Sequence, residues 1–149
     1  MSVEVTIALE ATDELVDGLN RLLPQLSANA TALSIAELRA MVRSEALTLF
    51  VARDAVKLIG TLTLVTFPIP TGKRAWIEDV VVDADARGLG AGELLTKAAI
   101  KEAKKRGVRT IDLSSRPSRV AANALYRKLG FVERETNVYR FLVEALDEE

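Results

Sequence analysis

Apolar residues recur along this chain with two different periods, and the switches between them mark out its elements. Val3 to Leu9 is a short β-branched run that predicts a first strand. After Thr12-Asp13, an N-cap signal, Leu15, Val16, Leu19, Leu22 and Leu23 return at helical spacing until Pro24, which ends or kinks the helix. Ser34-Ile35-Ala36-Glu37 has the form of a capping box and opens a second helix to about Ala46, leaving Gln25 to Leu33 as a polar, mobile connection. Thr48 to Arg53 and Lys57 to Phe67 have the pattern of an antiparallel hairpin around Asp54-Ala55, without the Asn-Gly or Asp-Gly pair that favours the tightest turns. Pro68 to Gly72 is a break, and Ala75 to Val82 is the next strand.

A long helix then runs to about Arg106 with Ala91, Leu94, Leu95, Ala98 and Ala99 as its buried stripe, and Gly107 stops it. Arg109 to Ser114 follows as a strand, so Ala75 to Ser114 forms a β-loop-α-β unit with two parallel neighbours. Ser118 to Leu129 is a helix stopped by Gly130, and Phe131 to Glu135 and Val138 to Val143 finish as strands around Thr136-Asn137. This order predicts an α/β (α+β) architecture. It implies a single domain over residues 1–149, with its core at about 3–143 and a mixed central sheet of about six to seven strands carrying helices on both faces.

Composition narrows the chemistry. The 149 residues are 49% hydrophobic, enough for one substantial core. The 20 basic and 21 acidic residues nearly cancel, which makes no case for a nucleic-acid partner. Cysteine and histidine are both absent. That excludes disulfides, Cys/His metal sites, a thiol nucleophile and a Ser-His-Asp triad, so any general base must be a carboxylate, a Lys or Tyr, or an ordered water chain. No apolar run approaches the roughly 20 residues that cross a bilayer, and Met1-Ser2-Val3-Glu4 has no basic region leading into an apolar one. The expected setting is cytoplasmic, with no membrane partner and no metal; a homodimer stays open.

The most informative segment is Arg87-Gly88-Leu89-Gly90-Ala91-Gly92, between a strand and a helix. Glycines at alternate positions let backbone approach a ligand closely, and the free N–H groups of a helix N-terminus favour an anion such as phosphate. Arg87 adds a charged fork. A turn of this kind in isolation also fits simple chain reversal. A P-loop requires a Lys-Ser/Thr pair where Glu93-Leu94 stand. A dinucleotide fingerprint requires two residues between its last glycines, where only Ala91 separates Gly90 from Gly92, even though Asp112 lies about where a ribose-binding acid belongs.

Val80-Val81-Val82-Asp83 followed by Arg87 to Gly92 and Glu93-Leu94-Leu95 resembles the acetyl-CoA motif of the GNAT superfamily of N-acetyltransferases. Ala124-Leu125-Tyr126-Arg127-Lys128-Leu129-Gly130-Phe131 resembles that superfamily's second signature, a helix ending Leu-Tyr-x-x-x-Gly-Phe, and the two occur in the expected order. The resemblance implies acetyl-CoA as cosubstrate. Backbone groups of Val80, Val81 and Val82 would pair with pantetheine, and Arg87, Gly88, Leu89, Gly90, Ala91 and Gly92 would take the pyrophosphate. It implies Tyr126 as the general acid that protonates the departing thiolate, although a Tyr here also suits core packing. A Glu-Asp pair just before the pantetheine strand is similar to that of relatives acting on small amines, which implies Glu78 as general base, directly or through water; binding a substrate cation is the alternative.

In one respect the chain departs from the family pattern. The Asn usual seven residues before the Tyr is replaced by Arg119. Asn123, one turn later, shares that helical face and is the substitute contact to the cofactor. Arg119 or Arg116 would then reach a phosphate or an acidic substrate group. Lys101, Lys104, Lys105 and Arg106 are expected to form a solvated face, with Glu102 and Arg106 paired one turn apart.

The activity implied is direct attack of a primary amine, most simply a small-molecule amine, on acetyl-CoA in a ternary complex. With no Cys, and no His to activate a Ser or Thr, an acyl-enzyme has no evident nucleophile. The acceptor is expected between the Gln25–Leu33 loop and the Glu135–Tyr139 turn, lined by Ser114, Ser115, Asn137 and Tyr139. Acetylation of a protein lysine or N-terminus, and a non-catalytic acyl-CoA-binding module, are the alternatives.

Overall fold

Thr12 and Ser34 cap the two helices that the apolar spacing marks out. In the computed structural model, which describes residues 2–146, the Thr12 hydroxyl accepts from the Leu15 N–H at 3.1 Å and starts α1, Asp13–Leu26. Ser34 and Glu37 exchange the reciprocal bonds of a capping box, 2.8 and 3.1 Å, and start α2, Ile35–Arg43. Pro24 does not end α1: the helix runs on to Leu26, and Ser27 N–H closes on Leu23 C=O. So near the C-terminus proline forfeits little of the ladder. α2 ends before Ala46, because Leu47 already belongs to the sheet. The connection between the helices is tied down. The Asn20 carboxamide both donates to Leu33 C=O (3.0 Å) and accepts from Leu33 N–H (2.8 Å).

The strands β1 (Val3–Ile7), β2 (Leu47–Asp54), β3 (Lys57–Ile69), β4 (Gly72–Val82) and β5 (Thr110–Asp112) form one sheet in chain order. The first three pairings are antiparallel and β4–β5 is parallel. Pro68 and Ile69 belong to β3, opposite Lys73 and Gly72, so the hairpin is longer than the prolines suggest. Helix α3, Ala91–Lys105, makes the parallel crossover. Its C-terminus closes with Gly107 N–H on Lys104 C=O and Val108 N–H on Ala103 C=O, the Schellman pattern.

Helices cover both faces of this sheet. Leu15, Leu19 and Leu22 of α1 and Leu38 of α2 form a core with Val51, Leu58 and Val81 on one face. On the other, Ala91, Leu95, Ala99 and Ala103 of α3 form a buried ridge at steps of four, and Leu95 packs where Gly60 leaves room. Leu94, expected in that ridge, is 40% exposed, since it lies about 100° round the helix from Leu95. Among the described residues no helix is long and apolar enough to cross a membrane.

The chain separates into two units, Met1–Arg116, which holds the whole sheet, and Pro117–Glu149. The second holds α4, Val120–Lys128. The sheet has five strands rather than six to seven: Phe131 to Glu135 and Val138 to Val143 join no ladder among the described residues. Their residues have strand propensity, but a strand also needs a neighbour for its N–H and C=O groups.

Candidate functional site

β4 leaves β5 early. The two strands pair only at Arg74–Thr110, Ala75–Ile111 and Trp76–Asp112, while β4 runs on to Val82. From Ile77 onward the β5-facing side of β4 has no strand partner among the described residues, while its other side stays paired with β3 as far as Val82, so the backbone groups that point from this stretch toward the β5 side have no ladder.

A bulge lies at the point of departure. Glu78 stands opposite Thr63 and Val81 opposite Thr61, so Asp79 and Val80 share the single partner Leu62. Asp79 takes up the extra residue with a left-handed φ of 50°, a region in which Asp is enriched. This corrects the simple alternation. Unbroken alternation along β4 would put Trp76, Glu78 and Val80 on one face, but with the bulge Val81 takes the place of Val80 there, because directly opposed residues point the same way. Val81 is core at 4% exposure, whereas Glu78 is exposed and Val80 and Val82 are half-buried.

Beyond Val82, Asp83 caps a 3-10 turn, Ala84–Ala86, through Asp85 N–H at 3.1 Å. Arg87, Gly88 and Gly90 are exposed, and Leu89 is half-buried. Gly88 and Gly90 have φ of +89° and +81°, so both need the conformation that glycine adopts without strain. A Cβ built on either would meet nothing within 4 Å, which leaves this side of the turn open to a ligand. Gly90 is the N-cap of α3 and offers no side-chain cap, and Leu94 N–H is the first to bond back to Gly90 C=O. The N–H groups of Ala91 and Gly92 thus have no intrahelical acceptor and suit an anion. Glu93 opposes that charge, but it is paired at 2.8 Å with Lys97.

Ser114 is exposed just after β5, and the Ser115 hydroxyl is buried without a hydrogen-bond partner among the described residues. The sequence reading missed the clamp on Asp83, whose carboxylate is met by Arg21 and Gln25 of α1. Their only sequence signal is their spacing one turn apart. The N–H of Asp85, then Arg21 and Gln25, holds the Asp83 carboxyl below the usual carboxylate range, although burial opposes this.

Within the second unit, the Leu-Tyr-x-x-x-Gly-Phe motif has a physical explanation. Phe131 N–H reaches Tyr126 C=O (2.9 Å), and Gly130 N–H reaches Arg127 C=O (3.1 Å). This Schellman cap places Tyr126 and Phe131 at the positions that carry its hydrophobic contact. Their rings meet edge to face at 5.8 Å. Tyr126 is buried, and burial raises its phenol above the ordinary value, with Arg119 opposing the rise. Arg119 is the N-cap of α4 and Asn123 lies one turn inside, so they share a helical face with Tyr126. Asn137 donates to the Tyr139 hydroxyl at 3.4 Å, and both are exposed.

Comparisons with known proteins bear on the fold and the family. The model of the acetyltransferase (GNAT) family matches residues 15–131. A solved structure, a putative acetyltransferase from Agrobacterium tumefaciens, superposes with a TM-score of 0.79 at 27% identity, covering 95% of this chain and 100% of that one. Glucosamine 6-phosphate N-acetyltransferase 1 of Oryza sativa is 36% identical over 67 residues, 45% of this chain and 39% of that protein. The ribosomal protein bS18-alanine N-acetyltransferase of Escherichia coli is 44% identical over 59 residues, 40% of each. The chain therefore spans well under half the length of these two relatives.

Proposed function

Since the chain belongs to the acetyltransferase (GNAT) family, we propose that it transfers an acetyl group from acetyl-CoA to a primary amine, most simply a small-molecule amine, by direct attack in a ternary complex. The observation that carries this reading is the continuity of the β4 edge beyond Trp76, which no strand covers among the described residues, with the glycine turn and the start of α3, which has no side-chain cap. One stretch of backbone thereby offers amide-pairing groups and then an anion site, matching the order of pantetheine and pyrophosphate in CoA. The family match crosses the boundary at Arg116, and this supports one N-acetyltransferase domain with its core at residues 3–143.

Acetyl-CoA, when bound, supplies an activated thioester. Backbone groups of Val80, Val81 and Val82 orient it, and an N–H of this edge polarises the carbonyl as an oxyanion-hole donor does. Arg87 and the turn from Gly88 to Gly92 neutralise the pyrophosphate. The Glu78 carboxylate takes the proton of the attacking ammonium, directly or through water, a role supported by its exposed position beside the bulge. The Tyr126 hydroxyl gives a proton to the departing sulfur. Unperturbed phenol and thiol pKa values make that transfer uphill by about 2 kcal/mol, and the burial that raises the Tyr126 phenol makes it steeper. Asn123 replaces the missing family Asn as a cofactor contact, and Ser114, Ser115, Asn137 and Tyr139 contact the acceptor. The cytoplasm is the proposed setting.

The test is release of free thiol from acetyl-CoA across polyamines, amino acids, aminoglycosides, amino sugars and peptides, with the acetylated product identified by mass. Turnover of small amines with intersecting initial-rate lines supports the proposal. Turnover of peptides alone moves the acceptor to protein, a reading favoured by the bS18-alanine relative. Acetyl-CoA binding with silence across the panel leaves a binding module and overturns the small-amine assignment.

A further inference from the structure

The glycine turn is anchored from a distance. Only the turn Ala84–Ala86 separates Asp83 from Arg87, and Asp83 is held on several sides. Its N–H donates to Ile59 C=O (2.7 Å), its C=O accepts from Ala86 N–H (2.9 Å), and its Oδ1 accepts from Asp85 N–H. Arg21 of α1 donates through Nη1 to Asp83 Oδ2 and through Nη2 to Leu58 C=O, bridging the start of β3 to the end of β4. Gln25, one turn on, donates to Asp83 Oδ1 (3.5 Å) and accepts the Ala84 N–H (2.9 Å). The Asp83 side chain is 5% exposed and that of Arg21 41%. A pair with one half-open partner adds little net stability, so its consequence is geometric.

We propose that Arg21 and Gln25 are positioning residues for the acyl donor: from α1 they hold Asp83 and Ala84, and through the turn Ala84–Ala86 they set where the Arg87–Gly92 donors meet the pyrophosphate. This rests on the acetyl-CoA reading above. Donors aligned before binding need no ordering when the ligand arrives, and this gain is lost when the clamp is cut. α1 also leads into the connection pinned by Asn20, so a displacement of the helix reaches both.

The experiment is calorimetric titration of the full chain and its Arg21→Ala, Gln25→Ala and Arg21→Lys variants with acetyl-CoA and with S-acetylpantetheine, which lacks the pyrophosphate. Arg21→Ala and Gln25→Ala should weaken acetyl-CoA on the order of tenfold while leaving S-acetylpantetheine within about twofold. Arg21→Lys should recover part of the loss, and KM for acetyl-CoA should rise more than kcat falls. Gln25→Ala leaves no buried charge unpaired, so it keeps the test in hand if Arg21→Ala does not fold. Equal weakening of both ligands, or of neither, overturns the clamp. Wild-type protein that binds no acetyl-CoA overturns the acyl-donor reading itself, and the clamp with it.

Discussion

Tyr126 answers to two demands at once, and they can be separated. Its ring fills the hydrophobic contact of the α4 C-cap against Phe131, and its hydroxyl is the proposed acid. Tyr126→Phe keeps the ring, so the fold should hold, acetyl-CoA affinity should stay, and kcat should fall roughly a hundredfold. Unchanged turnover would remove Tyr126 from the mechanism. Gly90 poses the opposite case. Its Cβ position is open, so Gly90→Ala suffers only from the left-handed φ of +81°. The cost should be about 1–2 kcal/mol in a denaturation midpoint, with a higher KM for acetyl-CoA as the turn relaxes. A KM that does not move would mean the turn takes no part in binding the donor.

At the scale of elements, the sequence makes plain whatever depends on local period. The caps at Thr12 and Ser34, the hairpin of β2 and β3, the parallel crossover through α3 and the Gly107 stop all follow from spacing and capping chemistry. What it hides depends on partners far along the chain. The bulge at Asp79 alters which side chains flank Glu78, and a non-glycine residue with positive φ leaves only the weak signal of an Asp. Val138 to Val143 alternates poorly and has no ladder among the described residues, although its composition suits a strand. The clamp joins Arg21 to a residue 62 positions away, so no local pattern announces it. The Asn20–Leu33 pair is of the same kind, and Asn20→Ala should speed hydrogen exchange at the Leu33 amide at a cost of about 1 kcal/mol. Unchanged exchange there would mean the connection is held by other contacts.

For the molecule as a whole, Asp83 and Tyr126 each make stability depend on pH. Asp83 has its folded pKa depressed by the Asp85 N–H, Arg21 and Gln25, so its contribution is present above the unfolded value near 4 and is lost as pH falls through the folded one. Asp83→Asn should flatten that acid limb in denaturation series. Tyr126 has its folded pKa raised by burial, so its contribution is complete below about pH 10 and is lost as pH rises through the folded value. Tyr126→Phe should flatten the alkaline limb.

Family membership and the continuity of β4, the glycine turn and α3 converge on one claim, that this backbone forms the acyl-donor site. Hydrogen exchange with and without saturating acetyl-CoA tests it most directly. The amides from Val80 to Val82 and from Gly88 to Gly92 should exchange more slowly in the complex. Protection confined to other segments, with these amides unchanged at saturation, would contradict it.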